Sequence, residues 1–273
     1  MGELLMARVI EYIVDNPKAV VVTVHGLGEH FGRYQHVGEW LNSQQINMIG
    51  GDLPGFGTST LLRGHIDSFN DYLNQVDQWL SYAKIKWTEV PLILYGHSLG
   101  GLIVIRYLQK RNVASVLAGV AVTSPSLSVK LELSSGLLFV AGVLQKIAPK
   151  IKFSSGIKPE AVSRHPQIRA TYGTDPLNYG KVSAGLFSEM QLAMKEAWED
   201  VAEIDRIGIP MLFLQAGDDQ LVDPDKADEF VKLIINERFT YINIPSLYHE
   251  VFNEPERDIY LKLFSDWILD TIQ

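Results

Sequence analysis

Pro91-Leu92-Ile93-Leu94-Tyr95-Gly96-His97-Ser98-Leu99-Gly100-Gly101-Leu102-Ile103-Val104-Ile105-Arg106-Tyr107-Leu108 decides the fold. Leu92 to Tyr95 is an apolar run of strand length, and a helix is expected to begin near Leu99 and to carry Leu102, Ile103, Ile105, Arg106 and Tyr107. Between them stands Gly-X-Ser-X-Gly, which becomes a nucleophile elbow when a strand precedes it and a helix follows. A serine on so sharp a turn is held in a strained backbone conformation, and the glycines two residues to either side let strand and helix approach without a clash. Ser98 is therefore expected to present its hydroxyl at a helix N-terminus, where unpaired amides and the helix dipole favour developing negative charge. Without partners, the same stretch is a glycine-rich turn whose serine caps a helix. Residues elsewhere in the chain have to decide.

Upstream, residues 7 to 14 roughly alternate apolar and polar, and Asp15-Asn16-Pro17-Lys18 supplies a turn, the pattern of an edge hairpin with the next strand. That strand, Ala19 to Val24, is a continuous β-branched run of the kind buried on both faces of a largely parallel sheet. It ends in His25-Gly26-Leu27-Gly28-Glu29-His30, a loop after a strand, which is where α/β-hydrolases place the second oxyanion-hole amide. The expectation is that the backbone N–H groups of Leu27 and Leu99 face the same point. A helix over Tyr34 to Ser43, a strand over Ile46 to Gly50 and a turn-rich loop over Gly51 to Gly57 follow. Asp52 and His65 read as loop organisers rather than as acid or base. Ser68 is placed to cap a helix reaching about Lys84, with Phe69, Tyr72, Leu73, Val76, Trp79 and Leu80 on one buried face.

Downstream of a strand near Ser115 to Thr123 the alternation of strand and helix stops. Residues 125–207 carry Pro149, Gly156, Pro159, Pro166, Gly173 and Pro176 as punctuation, no convincing buried strand, and helical patterns over about 133–147 and 181–200. They read as a helical cap inserted over the carboxyl ends of the strands, where α/β proteins bind substrate, leaving 1–124 and 208–273 as one core domain. Within the cap, Gly136 to Leu144 is strongly apolar and is followed by Lys146, Lys150 and Lys152, a pattern that suits either a lid touching a lipid surface or a buried helix. The sheet resumes at Pro210 to Gln215, and the loop after it holds Asp218, Asp219 and Asp223. Asp223 precedes Pro224 and reads as the cap of a helix from Pro224 to about Ile235, which leaves Asp218 and Asp219 as candidate acids. A last strand, Phe239 to Ile244, leads to His249, and a helix from about Pro255 to Ile272 closes the chain. Serine, acid, histidine is the chain order of α/β-hydrolases.

Bulk properties bound the rest. A chain of 273 residues, 47% of them hydrophobic, buries a large core. Lys and Arg number 24 against 32 Asp and Glu, a net charge of -8, with no basic block, which argues against nucleic acid as a partner. With no cysteine there is no disulfide, thiolate nucleophile or Cys-ligated metal, as suits a reducing cytoplasm. The first residues lack the basic start and apolar run of a secretory signal, and no apolar run of about 18 residues could span a bilayer.

Taken together, His25-Gly26-Leu27-Gly28-Glu29-His30 with Gly32-Arg33-Tyr34, Asp52 to Gly57, Gly96 to Gly101, Asp175-Pro176-Leu177, Gln215 to Asp223 and Tyr248-His249-Glu250 carry a resemblance. The chain resembles the monoacylglycerol lipase and lysophospholipase family of α/β-hydrolases over nearly its whole length. The resemblance implies a mostly parallel central sheet flanked by helices with an inserted helical cap, and a triad of Ser98, Asp219 and His249 with the amides of Leu27 and Leu99 as oxyanion hole. It implies ester hydrolysis through an acyl-enzyme, lipid monoesters as substrates and no metal or organic cofactor, while the apolar cap stretch with its following lysines is what suggests peripheral contact with a membrane or micelle. Two departures stand out. Ala216 occupies the place of a usual glycine, with Gly217 one position later, which keeps Asp218 as an alternative acid, and Leu27 is bulkier than the common alanine, which narrows an acyl channel. A generic carboxylesterase, a thioesterase or an iminopeptidase on the same fold, and a catalytically silent binding protein, are the competing readings.

Overall fold

The computed structural model describes residues 9–130 and 147–273. The apolar pattern over 136–144 and most of the helical pattern over 133–147 lie outside those residues. The main sheet is built from β1 (Ile10–Tyr12), β2 (Ala19–Val24), β3 (Ile46–Gly50), β4 (Leu92–His97), β5 (Gly119–Thr123), β8 (Met211–Ala216) and β9 (Phe239–Ile244). Their order is β1-β3-β2-β4-β5-β8-β9, parallel throughout except for β1, which runs antiparallel to β3. The expected N-terminal hairpin is thereby corrected. β1 does lie at the sheet edge, but both edges of β2 are taken by its parallel neighbours β3 and β4, so β1 pairs with the free edge of β3.

Strand alternation explains why these runs are apolar throughout. Val20, Val22, Val24, Leu94, Val122 and Phe213 face one core, packed by α2 (Asn70–Lys86), α3 (Leu99–Lys110), α6 (Ala184–Glu199) and Phe230 of α8 (Pro224–Val231). Ala19, Val21, Ile93, Tyr95, Ala121 and Leu214 face the other, packed by α1 (Gln35–Ser43) and α9 (Arg257–Thr271). A strand with helices on both faces has no polar side to show. The helix α2 buries the predicted stripe, and Ser68 accepts from the Asn70 N–H at 3.2 Å while Asp71 accepts from the Ser68 N–H at 3.2 Å, closing its first turn. The helix α8 stops at Val231, short of the expected Ile235, because Asp205 takes the N–H groups of Ile235 and Asn236, both at 3.0 Å, and turns the chain toward β9.

Between β5 and β8 the chain leaves the sheet. The described part holds a short antiparallel ribbon of β6 (Lys152–Ser154) and β7 (Lys181–Ser183), then α4 (Pro159–Val162), α5 (Pro166–Thr174), α6 and α7 (Ala202–Ile207). The ribbon was not legible in the sequence, since three-residue strands are too short to show a period. Arg106 fastens this segment to the elbow helix: it is buried in α3 and its guanidinium bonds Asp200 at 2.9 Å, Gln109 at 2.5 Å and Glu196. A charge at that depth requires such pairing.

Candidate active site

The strand β4 is central in the sheet, and α3 starts where it ends. Ser98 sits between them with φ 55° and ψ -117°, a conformation that costs a non-glycine residue on the order of 1–3 kcal/mol and persists only under tight surroundings. Those surroundings are the flanking glycines. A Cβ on Gly96 would stand 2.3 Å from the Gly100 carbonyl oxygen, and one on Gly100 would stand 2.0 Å from that of Val24. The strained turn is thus wedged between the ends of β2 and α3.

The structure brings the predicted residues together. His249, in the loop after β9, meets Ser98 Oγ through Nε2 at 2.7 Å and Asp219 Oδ2 through Nδ1 at 2.7 Å. Asp219 is fully buried, and its other oxygen accepts from the N–H groups of Leu221 at 2.8 Å and Val222 at 3.0 Å. Asp218 is exposed and bonds Gln220 at 2.9 Å, so the carboxylate that reaches His249 belongs to Asp219. Asp223 caps α8 by accepting from the Asp225 N–H at 3.1 Å. Asp52 ties its own loop, accepting from the N–H of Phe31 at 2.9 Å and of Thr58 at 2.7 Å, and His65 links Ser183 at 2.7 Å with Asp67 at 3.2 Å. Both organise loops, as their turn-rich settings suggest. Leu27 follows β2 and Leu99 opens α3, and among the described residues neither backbone N–H has a protein acceptor.

Electrostatics fit this geometry. Burial by itself would raise the Asp219 carboxyl, but the His249 ring and the two amides outweigh it and hold the group below its usual value. Burial would likewise lower His249; the charge and hydrogen bond of Asp219, with Glu250 and Glu29 farther off, outweigh it and raise the ring above 6.5. His97, whose ring centroid is 4.8 Å from that of His249, is pushed down to about 4 by burial and by that neighbour, and is neutral.

A buried ionic network braces the two loops. Glu29 accepts from the Gly26 N–H at 2.5 Å and from Tyr34 at 2.7 Å, and it pairs with Arg33. Arg33 in turn grips both oxygens of Glu250 at 2.7 Å and stacks over the Tyr172 ring at 4.7 Å. The sequence alone gives Glu29, Arg33, Tyr34 and Glu250 no role, because partners 217 positions apart leave no local pattern. For Ser126 the sequence offers one signal, its place just past β5, the strand beside the elbow strand.

The fold and this arrangement define an α/β-hydrolase that uses a serine, and the comparisons with known proteins agree. Residues 15–256 match the family described as serine aminopeptidase, S33, and the chain belongs to that family. It is 34% identical over 249 residues to a phospholipase of Bacillus subtilis, YtpA, covering 91% of this chain and 94% of that one. It is 31% identical over 258 residues to a monoacylglycerol lipase of Mycolicibacterium smegmatis, covering 93% and 89% of the two chains. The crystal structure of a monoacylglycerol lipase from Paleococcus ferrophilus superposes with a TM-score of 0.86 at 30% identity, covering 97% of this chain and 98% of that one. The chain is accordingly a carboxylic ester hydrolase, as its motifs implied.

Proposed function

We propose that the enzyme hydrolyses monoesters of long acyl chains, glycerol monoesters and lysophospholipids among them, through an acyl-enzyme on Ser98. One observation carries the reading. Ser98 and His249 open into a cavity, partly open to solvent, walled by Leu27, Phe153, Ile157, Phe187, Met190 and Met194, with no Asp, Glu, Lys or Arg among its described lining. Such a wall suits a hydrocarbon chain. Among the described residues it offers no carboxylate to a substrate ammonium, which an iminopeptidase needs, so the peptidase reading suggested by the family's description is disfavoured. A silent binding protein is disfavoured because the hydrogen bonds of an intact relay are all in place.

In this reading His249 takes the Ser98 proton as Oγ attacks the ester carbonyl and then gives it to the leaving alcohol. Asp219 holds the ring in the tautomer that leaves Nε2 free to accept, and stabilises its cation. The amides of Leu27 and Leu99 receive the oxyanion; losing one such donor costs about 2.7–4 kcal/mol elsewhere. Residues 125–207 act as the cap that shapes the acyl site. The phospholipase and monoacylglycerol lipase relatives act on lipid esters by their names, which supports the same class here. A cysteine-free chain suits the cytoplasm, and no helix among the described residues is long and apolar enough to cross a membrane. Contact with lipid would then be peripheral, through exposed Leu61, Leu62, Ile147 and Ile151.

The test is a panel of acetyl, octanoyl and palmitoyl glycerol monoesters beside lysophosphatidylcholine and an aminoacyl anilide. Octanoyl should exceed acetyl in kcat/KM by more than about tenfold, because each buried methylene contributes about 0.8 kcal/mol. Acetyl as the best ester, or the anilide cut faster than any ester, would overturn the reading. The raised His249 also sets a pH dependence. The base works only when neutral, so kcat/KM should fall as pH drops through a midpoint above 6.5, and Asp219→Asn should move that midpoint down. A wild-type midpoint below 6.5 would mean that Asp219 does not govern the ring.

A further inference from the structure

Ser126 stands beside the nucleophile with no role in the relay. Its Oγ is 3.2 Å from Ser98 Oγ, the residue is only 7% exposed, and it lines the acyl cavity. Its backbone is fixed from two sides: the Ser126 N–H donates to the Ser98 carbonyl oxygen at 3.0 Å, and the preceding Ser124 N–H donates to Leu214 at 2.9 Å. Among the described residues the Ser126 hydroxyl has no other side-chain or backbone partner.

The direction of that hydrogen bond follows from the relay. Asp219 is ionised and only accepts, so Nδ1 of His249 carries the ring proton and Nε2 is the acceptor. Ser98 must then donate its single proton to Nε2. The contact between the two serines is left with one arrangement, in which Ser126 O–H donates to Ser98 Oγ. At 3.2 Å the bond is long for a resting hydroxyl pair, and bonds to an oxygen gaining negative charge shorten and strengthen.

We infer that Ser126 is a further catalytic residue, a donor to Ser98 Oγ that acts when this oxygen leaves. The inference rests on Ser98 being the nucleophile. In acylation the hydrogen bond from Ser126 is already made to the resting Ser98 hydroxyl, so it adds little on the way to the transition state, whereas in the acyl-enzyme Oγ is an ester oxygen and a poor acceptor. In deacylation the roles reverse. Solvent water attacks the acyl carbon as His249 Nε2 takes its proton, and the tetrahedral intermediate collapses by breaking the bond from carbon to Oγ. The electron pair of that bond passes to Oγ, which takes the proton from Nε2 while the carboxylic acid departs. Negative charge builds on Oγ in that step, and the Ser126 hydroxyl points at it.

Stopped-flow hydrolysis of p-nitrophenyl octanoate separates the two half-reactions, with intact-protein mass reporting the adduct. In Ser126→Ala the acylation burst should persist, steady turnover should fall about tenfold, and KM should fall with it, so that kcat/KM holds while octanoyl adduct accumulates on Ser98. The near-isosteric pair Ser126→Thr and Ser126→Val isolates the hydroxyl, and the threonine variant should turn over faster than the valine variant. Equal loss in burst and turnover, unchanged turnover in Ser126→Ala, or equal rates for the threonine and valine variants would overturn the role. A Ser98→Ala variant that still hydrolyses the ester at the wild-type rate would instead remove the nucleophile assignment itself.

Discussion

Ser98→Ala is expected to reduce ester hydrolysis by about four orders of magnitude or more and to abolish labelling by an active-site fluorophosphonate. The substitution removes one oxygen and nothing else the site is built on. Ser98 Oγ is the atom His249 Nε2 reaches at 2.7 Å, so the variant has no oxygen for the base to activate. What remains is binding in the cavity and the two amides of Leu27 and Leu99 proposed above as the oxyanion hole; in other hydrolases binding and such a hole leave a small residual rate when a triad member is deleted. Stability should not fall, since alanine meets the same strained backbone at φ 55° and the hydroxyl's two hydrogen-bond partners lie at a pocket wall. The measurement pairs probe labelling with a melting curve. A variant that melts like the wild type yet still takes the probe would move the nucleophile elsewhere.

The candidate site is legible in the sequence where chemistry needs fixed residue types on fixed elements. The elbow at Gly96 to Gly100 is local: a strand, a strained serine and a helix within a few residues, with glycines that only close backbone packing demands. The strand runs of β2, β4, β8 and β9 were legible because burial on both faces leaves no polar alternation. Three things were not legible, for one shared reason. The pairing of β1 with β3 rather than β2, the ribbon of β6 with β7, and the contact of Ser126 with Ser98 are each decided by which edge or loop end comes near in space. The choice between Asp218 and Asp219 is of the same kind. Adjacent carboxylates on one loop differ only in which way the backbone turns them, and the amides of Leu221 and Val222 turn Asp219 inward.

Arg33→Met should be the most damaging substitution away from the reacting atoms. It leaves Glu29 and Glu250, whose side chains are 4% and 6% exposed, facing each other without a cation. Removing one partner from a buried charge network costs about 3–5 kcal/mol, because the charges left behind are neither hydrated nor paired. In a chain of this size that lowers the melting temperature by on the order of 10 °C. Activity should fall as well, since Glu29 holds the Gly26 N–H one residue before Leu27 and Glu250 adjoins His249. The network also has an acid limit. Burial would raise Glu29, but the charge of Arg33 and the hydrogen bond from the Tyr34 hydroxyl hold it down to about 2 against the usual 4.5. A depressed folded value means that Glu29 contributes fully above 4.5 and that its contribution is lost as pH falls from there toward about 2. Replacing all three residues by neutral partners, Arg33→Met with Glu29→Gln and Glu250→Gln, should recover much of the lost stability, because no unpaired charge then remains buried. Differential scanning calorimetry of the single and triple variants decides the matter: a single variant as stable as the wild type, or a triple variant less stable than the single, would show that charge pairing is not what fastens these loops.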